Sequence, residues 1–443
     1  MSRKNELIVS ASRYSAIGGS DYQALKLLKA AATLEPAERE LWLEIGRLQY
    51  VFGLYDEVLE SCSAYRGLGS ETFASKHLEA RVMASTGEFE KAREFYLAQD
   101  LKLADPRVCW EKALNDLYFG DYSSGWKGYE HRFDILSLAQ LHIYPFQLVR
   151  WNGQFEKNGS ILLHGEQGLG DEIMFAGFLN QLLRCSKASG TKIYLACTTP
   201  NFDLFSHSFP DIHCLDHRRG PDDVKSWSKG FVPNWLKQLP HNTKQLPLGS
   251  LPYALQSYLS EPRPSPYLRA IPKDVEHFRR ELASRINKKK KKSVKIGLAW
   301  AANMNTNFGA SKSIALPLFK EISLLKNIQL VGVQSPHFGA EAKEAPLLDM
   351  IDMSDQLSSV SKSAALMESL DLIISVDTSY CHLAGALAKP TLALLKKDHD
   401  WRFGPSSGPT AFYPTVKNVR QQFIGEWGSV LSKVREMIAL MCN

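Results

Sequence analysis

Apolar and polar positions divide the chain into a helical first third and, behind it, an alternation of short apolar runs with helix-like segments. In the first third the glycines Gly19, Gly53, Gly87 and Gly120 fall 34, 34 and 33 residues apart. Three of them open a matching tripeptide: Gly53-Leu-Tyr55, Gly87-Glu-Phe89 and Gly120-Asp-Tyr122. Five residues after each glycine stands a small or short apolar residue, Ala24, Val58, Ala92 or Gly125. Glycine permits the tight turn between two helices, and the small residue lets those helices approach closely. A period of this length predicts four degenerate helix pairs stacked as an all-α solenoid over residues 1–135. The last unit carries Trp126, Tyr129 and Phe133, which suits a helix packing onto the next domain.

From residue 160 the pattern changes. Residues 160–164 read as a buried strand, 165–171 as a glycine-rich turn, 172–185 as a helix and 192–196 as a second strand. Residues 202–255 are rich in loop signals, 275–286 read as a helix, and the lysine run 288–292 as a solvated connection. A second set follows: strand 294–300, polar loop 302–312, helical pattern 313–325, strand 328–334, strand 372–376, a helix ended by Pro390, and strand 391–395. Such alternation predicts an α/β fold of two doubly wound halves, 136–287 and 288–443.

Two positions in this pattern carry candidate chemistry. Asp377, Thr378, Ser379 and Tyr380 lie between strand and helix, where free N–H groups and the helix dipole face the carboxyl edge of a parallel sheet. A phosphate fits there, and an ordinary helix cap accounts for the same residues. Asp171 falls in the first turn of the helix after the first strand, where the dipole favours its carboxylate and leaves it able to take a proton from a hydroxyl. A cap role is the alternative. Lys312 is placed to neutralise a diphosphate across the crevice from Thr378, and Gln334 ends a strand where a base or ribose contact falls.

Composition narrows the function classes. The chain is 44% hydrophobic and 23% charged, and five charges of its net +6 come from the run 288–292, so there is no basic face for nucleic acid. The first residues lack the apolar core of a signal peptide, and no stretch approaches the roughly 20 apolar residues of a membrane span, so a cytoplasmic protein is expected. Seven scattered cysteines without a C-x-x-C pair suggest neither disulfides nor zinc. Asp398-His399-Asp400 spells the D-x-D of metal-dependent sugar transferases, but after a strand of the second half, and no metal site is expected. Gly404 to Gly408 spells G-x-S-x-G without a strand-to-helix elbow, and the glycine turn lacks the dinucleotide order.

Trp42, Ile45 and Gly46 reproduce a W-x2-L-G spacing, and the first third resembles tetratricopeptide repeats. The blocks LLHGEQGLGDEIMFAGFL, IGLAWAANMN with SKSIAL, and LDLIISVDTSYCHLAGALAKP with DWRFG resemble glycosyltransferase family 9, the heptosyltransferase group, in its relatives with such repeats ahead of the transferase. Met174 stands where heptosyltransferases often have histidine, and Ser379 where a glycine is usual. The resemblance implies a GT-B arrangement of two facing Rossmann-like domains, the first on the acceptor side and the second holding a nucleotide diphospho-sugar. It implies Asp171 as general base in the turn of Gly168 and Gly170, and Lys312, Asp377, Thr378, Ser379, Tyr380 and His382 as donor-binding residues, to which the position of Gln334 adds a further candidate. The expected activity is metal-independent sugar transfer, with no cofactor, to a hydroxyl of a protein, peptide or surface glycan in bacterial glycan or glycoprotein biosynthesis. The repeats are then an acceptor-docking or homodimerisation element. The alternative is a repeat-based interaction scaffold whose transferase domain is inactive.

Overall fold

The computed structural model describes residues 2–16, 21–98, 105–227, 229–255, 266–287, 293–303, 309–335 and 348–441. Gly19, Cys442, the lysine run 288–292 and positions 304–308 of the polar loop lie outside the described residues. The chain forms two compact units, Met1–Asn115 and Asp116–Asn443.

The first unit is helical: Arg3–Ala16, Asp21–Leu34, Arg39–Val51, Tyr55–Gly67, Phe73–Ser85 and Phe89–Leu97, with Pro106–Tyr118 running across the division. Two repeat glycines turn the chain between paired helices in the left-handed region, Gly53 at φ 71° and Gly87 at φ 78°. That conformation strains any residue with a Cβ. The small residues five positions on, Ala24, Val58 and Ala92, are fully buried. Gly46 serves close approach instead, since a Cβ there would lie 3.0 Å from Leu78 Cδ2 of another helix.

The second unit holds two parallel sheets. Strands β1 (Ser160–His164), β2 (Lys192–Cys197), β3 (His213–Asp216) and β4 (Thr243–Pro247) run in the order β3-β2-β1-β4. Strands β5 (Val294–Ala299), β6 (Ile328–Gly332), β7 (Met350–Asp352), β8 (Leu372–Val376), β9 (Thr391–Leu395) and β10 (Val416–Arg420) run in the order β10-β9-β8-β5-β6-β7. Strands β1, β6, β8 and β9 are buried along their whole length, as parallel strands covered on both faces must be. The strand order reverses between β1 and β4 in one sheet and between β5 and β8 in the other, and ligands of open α/β sheets lie outside the carboxyl ends at such points.

Helices Tyr122–Tyr129 and Arg132–Ile135, which the sequence reading groups with the repeats, pack in this second unit. Gly120 turns into them at φ 83°. Trp126 is 1% exposed, with its ring 5.9 Å from Phe175 of the first lobe and 5.6 Å from Trp401 of the second, so one side chain seals both lobes.

Some expected elements break up. The helix expected at 172–185 divides into Leu169–Ala176 and Leu179–Ser186, and 313–325 forms only the short turns Leu316–Phe319 and Lys320–Ser323. The loop-rich stretch 202–255, where short strands and helices were expected but not placed, contains the end of the helix Thr199–Ser208, β3, β4 and short helical segments such as Pro221–Trp227 and Leu251–Ala254. Among the described residues no helix is long and apolar enough to cross a membrane.

Candidate active site

The carboxyl end of β1 feeds a turn whose geometry is fixed from both sides. Glu166 is buried and receives two hydrogen bonds from the buried Arg132, Nε to Oε1 at 3.0 Å and Nη2 to Oε2 at 2.8 Å. Glu172, also buried, is bonded by Arg219 Nη2 at 2.6 Å, Thr198 Oγ1 at 2.6 Å and Asn201 Nδ2 at 2.7 Å. Between these anchors Gln167 takes a left-handed φ of 56° and the helix Leu169–Ala176 begins. Asp171 Oδ2 accepts the N–H of Gly168 at 2.9 Å, the cap role that the sequence allowed. Its other oxygen, Oδ1, faces the second lobe and accepts a hydrogen bond from Arg402 Nη2.

On the second lobe β8 ends at Val376, Asp377 follows, and Thr378 caps the helix Ser379–Ala386 by accepting the N–H of Tyr380 at 3.3 Å. Lys312 Nζ lies 2.5 Å from Asp377 Oδ2. The two residues come from the loops after β5 and β8, the strands that flank the reversal of strand order. Burial works against the charged Lys312, but Asp377 and Asp400 outweigh it, and its pKa lies above the ordinary lysine value. Arg402 behaves alike: burial opposes its charge, Asp400 and Asp171 prevail, and the guanidinium is held charged. His382 is buried with Nδ1 2.9 Å from the Tyr413 hydroxyl, and burial lowers its pKa below the ordinary histidine value. Burial likewise raises the Tyr380 phenol.

Two expectations meet particular surroundings. Gln334 lies two residues beyond β6, and its amide is engaged by backbone: Oε1 accepts the N–H of Trp300 at 3.1 Å and Nε2 donates to Ala301 O at 2.9 Å. The D-x-D carboxylates are each paired with a cation, Asp398 with Lys396 at 2.8 Å and Asp400 with Arg402 at 2.8 Å.

The two turns meet. A Cβ added at Gly170 would lie 2.9 Å from His382 Cδ2 and 3.4 Å from Ser379 Cα, so the two helix starts are in direct contact across the lobes. Thus Gly168, Gly170 and Asp171 of the first lobe come together with Thr378, Ser379, His382, Asp377 and Lys312 of the second. Arg402, which sequence reasoning did not single out, and Asp400, which it weighed only as part of a metal motif, join the two sets.

Residues 358–413 match the sequence model described as glycosyltransferase family 9 (heptosyltransferase). The matched segment contains Asp377, Thr378, Ser379, Tyr380, His382, Asp400 and Arg402, whereas Asp171, Lys312 and Gln334 lie outside it. Over 433 residues the chain is 25% identical to Protein FlbA of Caulobacter vibrioides, covering 93% of this chain and 69% of that protein. Among solved structures it is similar to the E. coli ADP-heptose LPS heptosyltransferase II, at 14% identity and TM-score 0.42, over 64% of this chain and 98% of that one. It is also similar to an O-GlcNAc transferase mutant of Thermobaculum terrenum, at 11% identity and TM-score 0.35, over 98% of this chain and 93% of that one.

The anchoring pairs of the turn, Arg132 with Glu166 and Arg219 with Glu172, also escaped the sequence reading. The available signal was two glutamates flanking a glycine turn inside an apolar stretch, since a buried carboxylate requires a buried cation or donors somewhere in the chain. Arg402 was already in view within the DWRFG block.

Proposed function

We propose that the domain transfers a sugar from a nucleotide diphospho-sugar to an acceptor hydroxyl, with Asp171 as general base. The diphosphate sits at the start of the helix Ser379–Ala386, against the Thr378 cap and beside Lys312 and Arg402. The acceptor, a hydroxyl of a protein, peptide or surface glycan, approaches over the turn that carries Asp171. Its oxygen forms a bond to the anomeric carbon as its proton passes to the Asp171 carboxylate. The bond from that carbon to the phosphate oxygen breaks, and its electron pair leaves on the nucleoside diphosphate. In this reading Lys312 and Arg402 supply the positive charge that stabilises the leaving group, so the step runs without a metal.

The observation that carries the proposal is the meeting of the two helix starts, one bearing a carboxylate and the other a threonine-capped N-terminus beside two partly buried cations. Purified protein incubated with a panel of nucleotide sugars is expected to release a nucleoside diphosphate, by transfer or by slow hydrolysis. Asp171→Asn is expected to lower that rate by about 10²–10⁴ while leaving the fold intact. Nucleoside diphosphates are expected to raise thermal stability, by about 2.7 kcal/mol at a hundredfold excess over Kd. Full turnover in Asp171→Asn removes the base assignment, and a panel that neither turns over nor stabilises the chain leaves the scaffold reading in its place.

A further inference from the structure

We infer that Arg402 is a positioning residue that restrains Asp171 until a donor diphosphate draws the guanidinium away, so that the base is released only when the donor is seated. The inference rests on the donor and base assigned under the proposed function.

The ion pair joins the lobes: Arg402 follows β9 in the second sheet, and Asp171 follows β1 in the first. Arg402 is held in place on its own side by Asp400, which accepts its N–H at 3.0 Å and its Nη1 at 2.8 Å, and by the Trp401 ring, 4.5 Å from the guanidinium carbon. Its Nε is buried and meets no hydrogen-bond partner among the described residues, so within them the fork has a donor left over even with two carboxylates bound. A guanidinium presents paired donors that match two oxygens of a phosphate.

The pairing at the meeting point favours an exchange. Among the described residues Lys312 is already paired with Asp377, and Arg402 with Asp171 and Asp400. A diphosphate entering this set gains a direct ion pair only when a cation changes partner. Arg402 can turn toward phosphate while Asp400 still holds it, and the partner it then loses is Asp171. An opposite charge beside a carboxylate favours its ionised form and weakens it as a base, and removing that charge strengthens it. Seating the donor and arming the base thereby become one event.

The other groups facing Asp171 do not imitate this effect. His382, from the helix Ser379–Ala386, is kept neutral by burial, and Tyr129, from the helix Tyr122–Tyr129, is pushed up to about 12 by burial and Glu166. Asp400 is held ionised by Arg402 and Lys312 against the effect of burial, and Glu172 on the same helix as Asp171 is turned to Arg219. Arg402 is the neighbour that changes partner.

The test uses the full-length protein and a panel of UDP, ADP, GDP and TDP. Binding is read first by calorimetry, and a chain that binds none of them overturns the donor reading and this inference with it. With the nucleotide that binds, the carboxyl carbon of labelled Asp171 is followed by NMR at fixed pH, its signal being assigned by its loss in Asp171→Asn. Saturating nucleotide is expected to move that signal from its place in the free protein toward the place it takes in nucleotide-free Arg402→Gln, where the guanidinium is gone. Arg402→Gln should bind the diphosphate at least tenfold more weakly. Arg402→Lys should recover part of the affinity. Should Arg402→Gln fail to fold, the wild-type spectra with and without nucleotide and the lysine variant decide the matter. A wild-type Asp171 signal indifferent to bound nucleotide, or an Arg402→Gln variant that binds as tightly as wild type, overturns the inference.

Discussion

Replacing Gly170 by alanine tests whether contact between the two helix starts defines the site. The new Cβ would sit 2.9 Å from His382 Cδ2 and 3.4 Å from Ser379 Cα. The imidazole has nowhere to go. It is buried and bonded through Nδ1 to the Tyr413 hydroxyl at 2.9 Å, and the Tyr413 ring itself lies so close to Gly385 that a Cβ there would be 2.4 Å from it. Relief must come from separating the two helices by several tenths of an ångström. Such overpacking costs about 1–3 kcal/mol, while alanine for glycine in a helix returns up to about 1 kcal/mol. The net loss expected for Gly170→Ala is therefore about 0–3 kcal/mol, too broad a range to decide anything alone.

The decisive measurement is a double-mutant cycle with His382→Ala, which removes the atom that the new methyl strikes. In that background Gly170→Ala should be neutral or stabilising, giving a coupling of about 1–3 kcal/mol between the two positions by urea unfolding. Turnover of the donor should fall in the single variant as the lobes are pushed apart, because small misplacements of reacting groups cost up to about a hundredfold. Additivity of the two substitutions within about 0.5 kcal/mol would show that the helix starts do not bear on one another, and the shared site would go with that result.

Arg132→Met should cost about 3–5 kcal/mol in urea unfolding, because it strands the buried carboxylate of Glu166; replacing Glu166 by glutamine as well should recover much of the loss. Burial lowers His164 to about 4, and burial together with Arg219 and His164 lowers His217 to about 3, so the unfolded chain binds these protons first as pH falls. Their contribution to stability is fully present above about pH 6.5 and is lost as pH falls through 4 and then 3. His217→Phe, which keeps a ring stacked 5.5 Å from Trp227, should leave stability at pH 7.5 nearly unchanged and flatten the decline between pH 6.5 and 4, a result read from denaturation midpoints across that range. In the repeats, Gly53→Ala should cost about 1–2 kcal/mol although nothing lies within 4 Å of its Cβ position, and Gly53→Asn should cost less, since only the left-handed φ of 71° is at stake. Equal losses for the two substitutions would point to packing instead.

What the sequence disclosed and what it hid follow from the range of the forces concerned. The repeat turns were legible because a left-handed φ at Gly53, Gly87 and Gly120 is a local requirement that only one residue type meets without strain. Strands β8 and β9 were legible because burial on both faces leaves a nearly continuous apolar run, broken only by Ser375 in β8 and opened by Thr391 in β9. The stretch 313–325 was legible as helical for a related reason, although only Leu316–Phe319 and Lys320–Ser323 within it are helical. Ile314, Leu316, Phe319 and Ile322 are all buried in the core of the second lobe, and their spacing reports which positions face that core, a demand that short turns satisfy as well as a helix does. Gln334 read as a ligand contact because a polar residue just past a strand looks available, yet the backbone after β5 needs partners there and engages it. Asp171 was placed correctly at its helix start, but its partner stands 231 residues away in the other lobe. No local pattern encodes such a pair; it becomes visible only when two sheets, each ordered by its own apolar runs, bring the ends of β1 and β9 to the same place. The separation explains why the charge most able to control Asp171 was the one that local reasoning overlooked, and why the behaviour of Arg402 toward phosphate is the most informative measurement to make on this chain.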